Sequence, residues 1–375
     1  MTEHEDTRVS IDRRALRIHA GPAARRHIEQ HGLRPEDIGL IAGAAGGPKG
    51  LILGPLDRHI FGTWLKDSRH TVHLLGASIG AWRMATAAMR EPVRAFEAFE
   101  QGYIAQHVDP EPGRRLPSAA RVSQGFARTL GDFFAGEVEG ILGHPRYRVH
   151  VVTTRGLHIL RREGRLRTPA GYAGLALSNL VSRKALNAWA QRVVFSSPGE
   201  ALPVDITDLA HHRAELRADN FAPALQASCS IPFMLQAVHD IPGAPRGAYW
   251  DGGITDYHLH WRYASMMVGP GSGPLVLYPH FQRQLVPGWL DKVLKHRHRA
   301  TPHLDNVIVL APDEQWVRSL PNAKLPDRDD FLKYAQDVPA RVRDWTRAAQ
   351  ESQRLADEWA AWLAAGCPAG RLEAL

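Results

Sequence analysis

The 375-residue chain has only two cysteines, Cys229 and Cys367, and neither stands in a Cys-x-x-Cys or Cys/His spacing. That excludes a disulfide framework and the common zinc patterns, and it suits a reducing compartment. No run of 18 consecutive apolar residues occurs, so the sequence holds no candidate membrane-spanning helix. The first ten residues are polar and acidic and lack the apolar centre of a secretory signal. Internal repeats and low-complexity blocks are also missing. These absences make a cytoplasmic protein the expectation, with peripheral membrane contact left open.

What the chain does have is ordinary core material, glycine and positive charge. Apolar residues make up 44% and charged residues 23%, as in a globular protein that buries a sizeable core. The formal net charge is +7. Such a surplus favours anionic partners, among them nucleic acid, lipid headgroups and acidic proteins, or it is simply a solvated basic surface.

Residues 1–13 read as a flexible arm, and residues 15–30 as mixed helix ended by His31-Gly32. Short apolar runs at 38–42 and 71–75 read as buried strands. Each is followed by a glycine-containing turn and then by helical apolar spacing, at 51–65 and 79–89. The order strand, turn, helix, strand, turn, helix predicts an α/β fold with a parallel sheet and crossover helices. Right-handed crossovers put both turns at the carboxyl edge of that sheet, where ligands collect. Further strands are expected at 147–153, 192–195, 247–250, 275–279 and 307–310. Residues 91–145 read as a helical cap or insertion beside a main domain spanning 14–328. Residues 329–375 read as a C-terminal helical extension with a break at Pro339. Trp345 and Trp359 share a face of it, so it packs on the domain or lies at a membrane surface.

Three turns carry candidate chemistry. Gly76-Ala77-Ser78-Ile79-Gly80 follows the second strand and opens a helix. A serine on such a corner is projected outward, and the helix N-terminus and the Ile79 N–H face developing negative charge. The other reading is a close-packed strand-helix turn with an incidental serine. Gly46-Gly47-Pro48-Lys49-Gly50 follows the first strand. It lacks the hydroxyl residue of a magnesium-binding phosphate loop and is not a dinucleotide fingerprint. It fits an oxyanion-binding loop or a structural tight turn. Asp251-Gly252-Gly253 ends a strand, and its carboxylate could take the Ser78 proton or serve an ordinary turn.

Together these motifs resemble the patatin-like phospholipases. That family combines a Gly-Gly-x-[Lys/Arg]-Gly loop, a Gly-x-Ser-x-Gly turn and an Asp-Gly-[Gly/Ala] turn in this order. A fourth likeness is Ala227-Ser228-Cys229-Ser230-Ile231-Pro232-Phe233. The resemblance covers about residues 38–260. It implies a three-layer α/β/α fold with a mainly parallel sheet, and a serine lipid acyl hydrolase of the phospholipase A or lysophospholipase kind that needs no cofactor or metal. It assigns Ser78 as nucleophile, Asp251 as general base and Gly46, Gly47 and Ile79 as oxyanion donors. Lys49 becomes the loop cation, and Gly50, Gly76, Gly80, Gly252 and Gly253 support the turns. Three departures touch the substrate more than the chemistry, one being that the basic, proline-rich segment 283–303 has no counterpart in the family. Ala45 stands where the family often has a third glycine, and Ile254-Thr255-Asp256-Tyr257-His258 replaces the family's plant-type ending.

The expected partner is a lipid or other acyl ester, with anionic membrane as a peripheral contact and no nucleic acid. The oligomeric state is open. Two alternatives share the motifs: a carboxylesterase, thioesterase or polyester depolymerase with the same dyad, and a non-catalytic lipid-binding or scaffolding protein. His258 and His260 follow Asp251 and offer a Ser-Asp-His triad as a rival to the dyad. Residues 295–299, with His296 and His298, read as a headgroup patch or a solvated loop.

Overall fold

The computed structural model describes residues 14–114, 116–268 and 273–375, so the expected arm at 1–13 lies outside it. The described strands are β1 (Leu16–Ala20), β2 (Ile38–Gly43), β3 (Val72–Ala77), β4 (Tyr147–Gly156), β5 (Ala190–Ser196), β6 (His211–Glu215), β7 (Val238–His239), β8 (Ala248–Asp251), β9 (Leu275–Pro279), β10 (Val307–Pro312) and β11 (Leu372–Ala374). They form one sheet in the order β11-β1-β10-β9-β2-β3-β4-β5-β6, with β8 on β4 and β7 on β8.

The five strands β10-β9-β2-β3-β4 are parallel to one another. Every residue of β2, β3 and β9 is buried. Continuous burial means that both faces are covered, and the aliphatic sequences Ile38-Gly39-Leu40-Ile41 and Leu275-Val276-Leu277 suit that position. Helices flank the sheet to give the α/β/α architecture. The helix Ile79–Ala87 packs on β2, β3 and β4, and the helix Ala218–Ser228 on β4 and β8.

Three stretches differ from the sequence pattern. Residues 15–30 are not all helix, because Leu16–Ala20 pairs antiparallel with β10 before the helix Pro22–His31 begins. The helical run at 51–65 is a 3₁₀ turn Gly47–Leu53, an α-helix Gly54–His59 and a π turn Ile60–Trp64. The C-terminal tract breaks at two places, giving helices Asp329–Lys333, Val338–Glu351 and Gln353–Ala364. Trp345, Trp359 and Trp362 of that tract are buried. Within 91–145, Phe96, Phe99, Leu130 and Phe134 belong to the main core, and Phe99, Phe126 and Phe133 pack around the Trp82 ring.

Candidate active site

The site is built by two strands that meet end to end along β4. Parallel pairing sets Ala77 of β3 opposite Val152. Antiparallel pairing sets Asp251 of β8 opposite Thr153, the next residue of β4. The two carboxyl ends therefore face each other across one residue step, although 173 positions separate them in sequence. The Ser78 hydroxyl donates to Asp251 Oδ2 at 2.7 Å, and both residues are buried.

Ser78 has φ 55° and ψ −128°, a conformation that L-residues rarely adopt. Holding it costs ~1–3 kcal/mol, so neighbouring contacts must fix it. Close packing does part of this. A methyl at Gly80 would strike the Gly43 carbonyl, one at Gly76 would strike the Ala81 backbone, and one at Gly252 would strike the Val152 carbonyl. The Ser78 turn, the end of β2 and the Asp251 turn are thus pressed together at distances only glycine permits. Ser228 does the rest. Its hydroxyl accepts from the Ser78 N–H at 2.9 Å and donates to the Val152 carbonyl at 2.6 Å. The second oxygen of Asp251, Oδ1, accepts from the Gly253 N–H at 2.7 Å.

Comparison with known proteins adds little to this geometry. No family model and no curated protein matches the chain. Among solved structures it is similar to human GIVD cytosolic phospholipase A2 at 13% identity and a TM-score of 0.33, over 96% of this chain and 67% of that one. Function must therefore be read from the residues in place.

The glycine loop lies beside the Ser78–Asp251 pair. A methyl at Gly253 would come within 2.8 Å of the Ala45 side chain, and Ala45 N–H donates to the Tyr257 carbonyl at 2.9 Å. Gly46 packs against the Phe281 ring, and Gly47 has φ 57°. A methyl at Gly50 would come within 3.3 Å of the Ile79 side chain. The backbone N–H groups of Gly46, Gly47 and Ile79 have no hydrogen-bond acceptor among the described residues, and all three residues are buried. Ile79 opens its helix, where the first N–H groups have no acceptor within the helix. Lys49 does not reach toward Ser78 by any hydrogen bond; its ammonium lies 5.4 Å from the Phe281 ring centre. Burial lowers its pKa.

Burial pushes the Asp251 carboxyl above the usual carboxylate range. The positive charge of Arg328 opposes that most, ahead of the Ser78 and Gly253 hydrogen bonds. Lys292 is a further nearby cation, lowered to about 8 by burial with Arg328 and Lys49 pushing the same way. Its ammonium lies 4.1 Å from the Tyr257 ring centre. Burial also pushes the Cys229 thiol well up, which leaves it protonated and a poor nucleophile.

The histidines that followed Asp251 in sequence are engaged elsewhere. His258 Nδ1 accepts from the Val286 N–H at 2.9 Å, and His260 Nε2 meets the Thr301 hydroxyl at 3.1 Å. Neither hydrogen-bonds to Asp251. The basic stretch at 295–299 is also partly tied down. Arg297 pairs with buried Asp291 at 2.8 Å, and His298 Nε2 meets the Asp291 carbonyl at 2.8 Å. Sequence reasoning gave no role to Ser228, Arg328 or Lys292. Ser228 stood in a quoted motif, but its bonds to Ser78 and Val152 carry no local signal.

Proposed function

We propose that the protein is a serine acyl hydrolase acting on carboxylic esters of lipids, with Ser78 as nucleophile and Asp251 as general base. The observation that carries this is the buried 2.7 Å hydrogen bond from the Ser78 hydroxyl to Asp251, at a corner with strained backbone. A serine hydroxyl is a weak nucleophile until a base takes its proton. A carboxylate held above its usual pKa by burial is a stronger base than one in water.

The reaction follows from these positions. Ser78 Oγ attacks the acyl carbonyl carbon while its proton passes to Asp251 Oδ2. The carbonyl oxygen becomes an oxyanion, and the unoccupied N–H groups of Gly46, Gly47 and Ile79 are the donors for it. As the intermediate collapses, the ester oxygen leaves with the proton from Asp251, and acyl-Ser78 remains. A water molecule then attacks the acyl carbon and gives its proton to Asp251. Collapse frees the carboxylic acid and returns the proton to Ser78. Each protonation of Asp251 is matched by one deprotonation, so a dyad suffices without an imidazole.

A fluorophosphonate probe tests the reading, since it phosphonylates an activated serine. Wild-type protein is expected to label, Ser78→Ala not at all, and Asp251→Asn slowly or not at all. Wild-type protein that stays unlabelled while folded would sink the proposal, and label that persists in Ser78→Ala would move the nucleophile elsewhere.

A further inference from the structure

The helix Arg167–Val181 carries an apolar stripe on its outward side. Leu166, Ala170, Ala173, Leu177 and Leu180 recur at steps of four and three, and all five are exposed. Leu166 and Val181 are each 85% exposed, and Leu177 is 66% exposed. The inward side of the same helix is also apolar, with Tyr172 and Leu175 buried. A helix apolar on two sides has an unused face, since ordinary surface helices are polar outside. From Thr168 to Ser182 it has no charged residue, although the chain as a whole is 23% charged.

Two more exposed apolar side chains stand on segments that contact the buried side of this helix. Val293, 79% exposed, sits on a neighbouring turn tied to the helix by the Asn179–Asp291 hydrogen bond at 2.8 Å. Phe233, 60% exposed, meets the Tyr172 ring at 5.7 Å. Tyr172 also meets Trp250, the residue before Asp251, at 5.8 Å. The stripe therefore shares a helix with a side chain that reaches the dyad strand.

At the start of the helix lies a cavity of about 400 Å³ lined by Arg161, Arg162, Arg167 and Arg246 with His158 and His239. None of the four guanidinium groups makes a hydrogen bond or ion pair among the described residues. The two carboxylates nearby are spent on backbone. Asp240, which also lines the cavity, accepts from Gly247 N–H at 2.8 Å, and Glu163 accepts from Ala237 N–H at 3.1 Å. Four unpaired guanidinium groups around one cavity suit a phosphate-bearing group, for which the planar fork is matched.

We infer that this face docks on an anionic lipid bilayer, with the helix Arg167–Val181 in the interface and the arginine cavity on a phosphate headgroup. The charge pattern selects this occupant. A second copy of the chain would bring the same arginines toward themselves, whereas an anionic bilayer supplies both apolar depth and negative charge. The inference concerns binding and does not require that acyl transfer occur.

The test is sedimentation of the full chain with vesicles of phosphatidylcholine alone or of phosphatidylcholine mixed with phosphatidylserine. Using Ser78→Ala throughout keeps the lipid intact, so failure here is separate from failure of the hydrolase reading. Binding is expected on anionic vesicles, weakening as salt is raised. Leu177→Asp with Val181→Asp is expected to remove it at unchanged melting temperature. Arg161→Ala, Arg162→Ala and Arg167→Ala are expected to weaken it by about fivefold each. Equal binding to neutral and anionic vesicles, or none to either, would overturn the inference. So would Asp variants that bind vesicles normally but change from dimer to monomer in ultracentrifugation, which would make the face a contact between copies. If the Asp pair fails to fold, Leu177→Ser with Val181→Ser carries the same comparison.

Discussion

Ser78 and Asp251 were legible because each stands in a glycine-marked turn at the end of an aliphatic run. Their partners were not. Ser228 holds the Ser78 N–H across 150 residues, and Arg328 acts on Asp251 from a loop with no motif of its own. Both yield predictions. Ser228→Ala removes the acceptor of one buried N–H and the donor to one buried carbonyl. Stability should fall by ~1–3 kcal/mol in urea titration. The loss of Ser78 positioning should appear in kcat more than in KM. An unchanged kcat would mean that the strained turn holds itself. Arg328→Gln removes the cation that most favours the ionised form of Asp251. The carboxyl then moves further up, and the acid limb of kcat/KM on a p-nitrophenyl ester shifts to higher pH. A limb that stays in place would show that Arg328 is too well screened to matter.

At the scale of elements, the central strands were readable because both faces are buried and their residues are aliphatic throughout. Edge elements escaped. The sequence His211-His212-Arg213-Ala214-Glu215 forms β6 with only Ala214 buried, and no hydrophobic pattern marks it. Leu16–Ala20 escaped because its five residues run straight into a helix. The meeting of β3 with β8 was also hidden, since it depends on the register of both against β4. One buried ion pair orients the helix that follows Ser78 within this frame. Arg83 reaches Asp57 with two hydrogen bonds of 2.7 Å, joining the helices Ile79–Ala87 and Gly54–His59. Asp57→Asn leaves the Arg83 charge uncompensated in the core, and unfolding free energy should drop by ~3–5 kcal/mol. A double replacement, Asp57→Leu with Arg83→Met, should recover most of that in the same titration. If the single variant proves as stable as wild type, water must reach Arg83 and the pair is not an anchor.

Over the whole molecule, the 20 histidines are a property of the fold more than of the site. Several are buried and kept neutral. Burial lowers His73 and His260 to about 4 and His280 to about 3, and it pushes His150 and His258 well below the ordinary value. In the unfolded chain the same imidazoles titrate near pH 6.5. Between that pH and about 4 the unfolded state therefore binds protons that the folded state refuses. Stability is full above pH 6.5 and declines as pH falls through this window, by ~1 kcal/mol per imidazole between pH 7.5 and 5.5. Asp57, Glu100 and Asp251 are raised by burial, so they take up protons in the folded state first and oppose the decline. The histidines that burial lowers outnumber these raised carboxyls. Urea midpoints measured at pH 7.5, 6.5 and 5.5 should fall steadily, with an unchanged m-value. His260→Gln, which replaces the ring facing the Thr301 hydroxyl, should make the fall shallower by about one proton. A midpoint constant from pH 7.5 to 5.5 would mean that these rings accept protons inside the fold, and that solvent reaches the layers around His73–His150 and His258–His280.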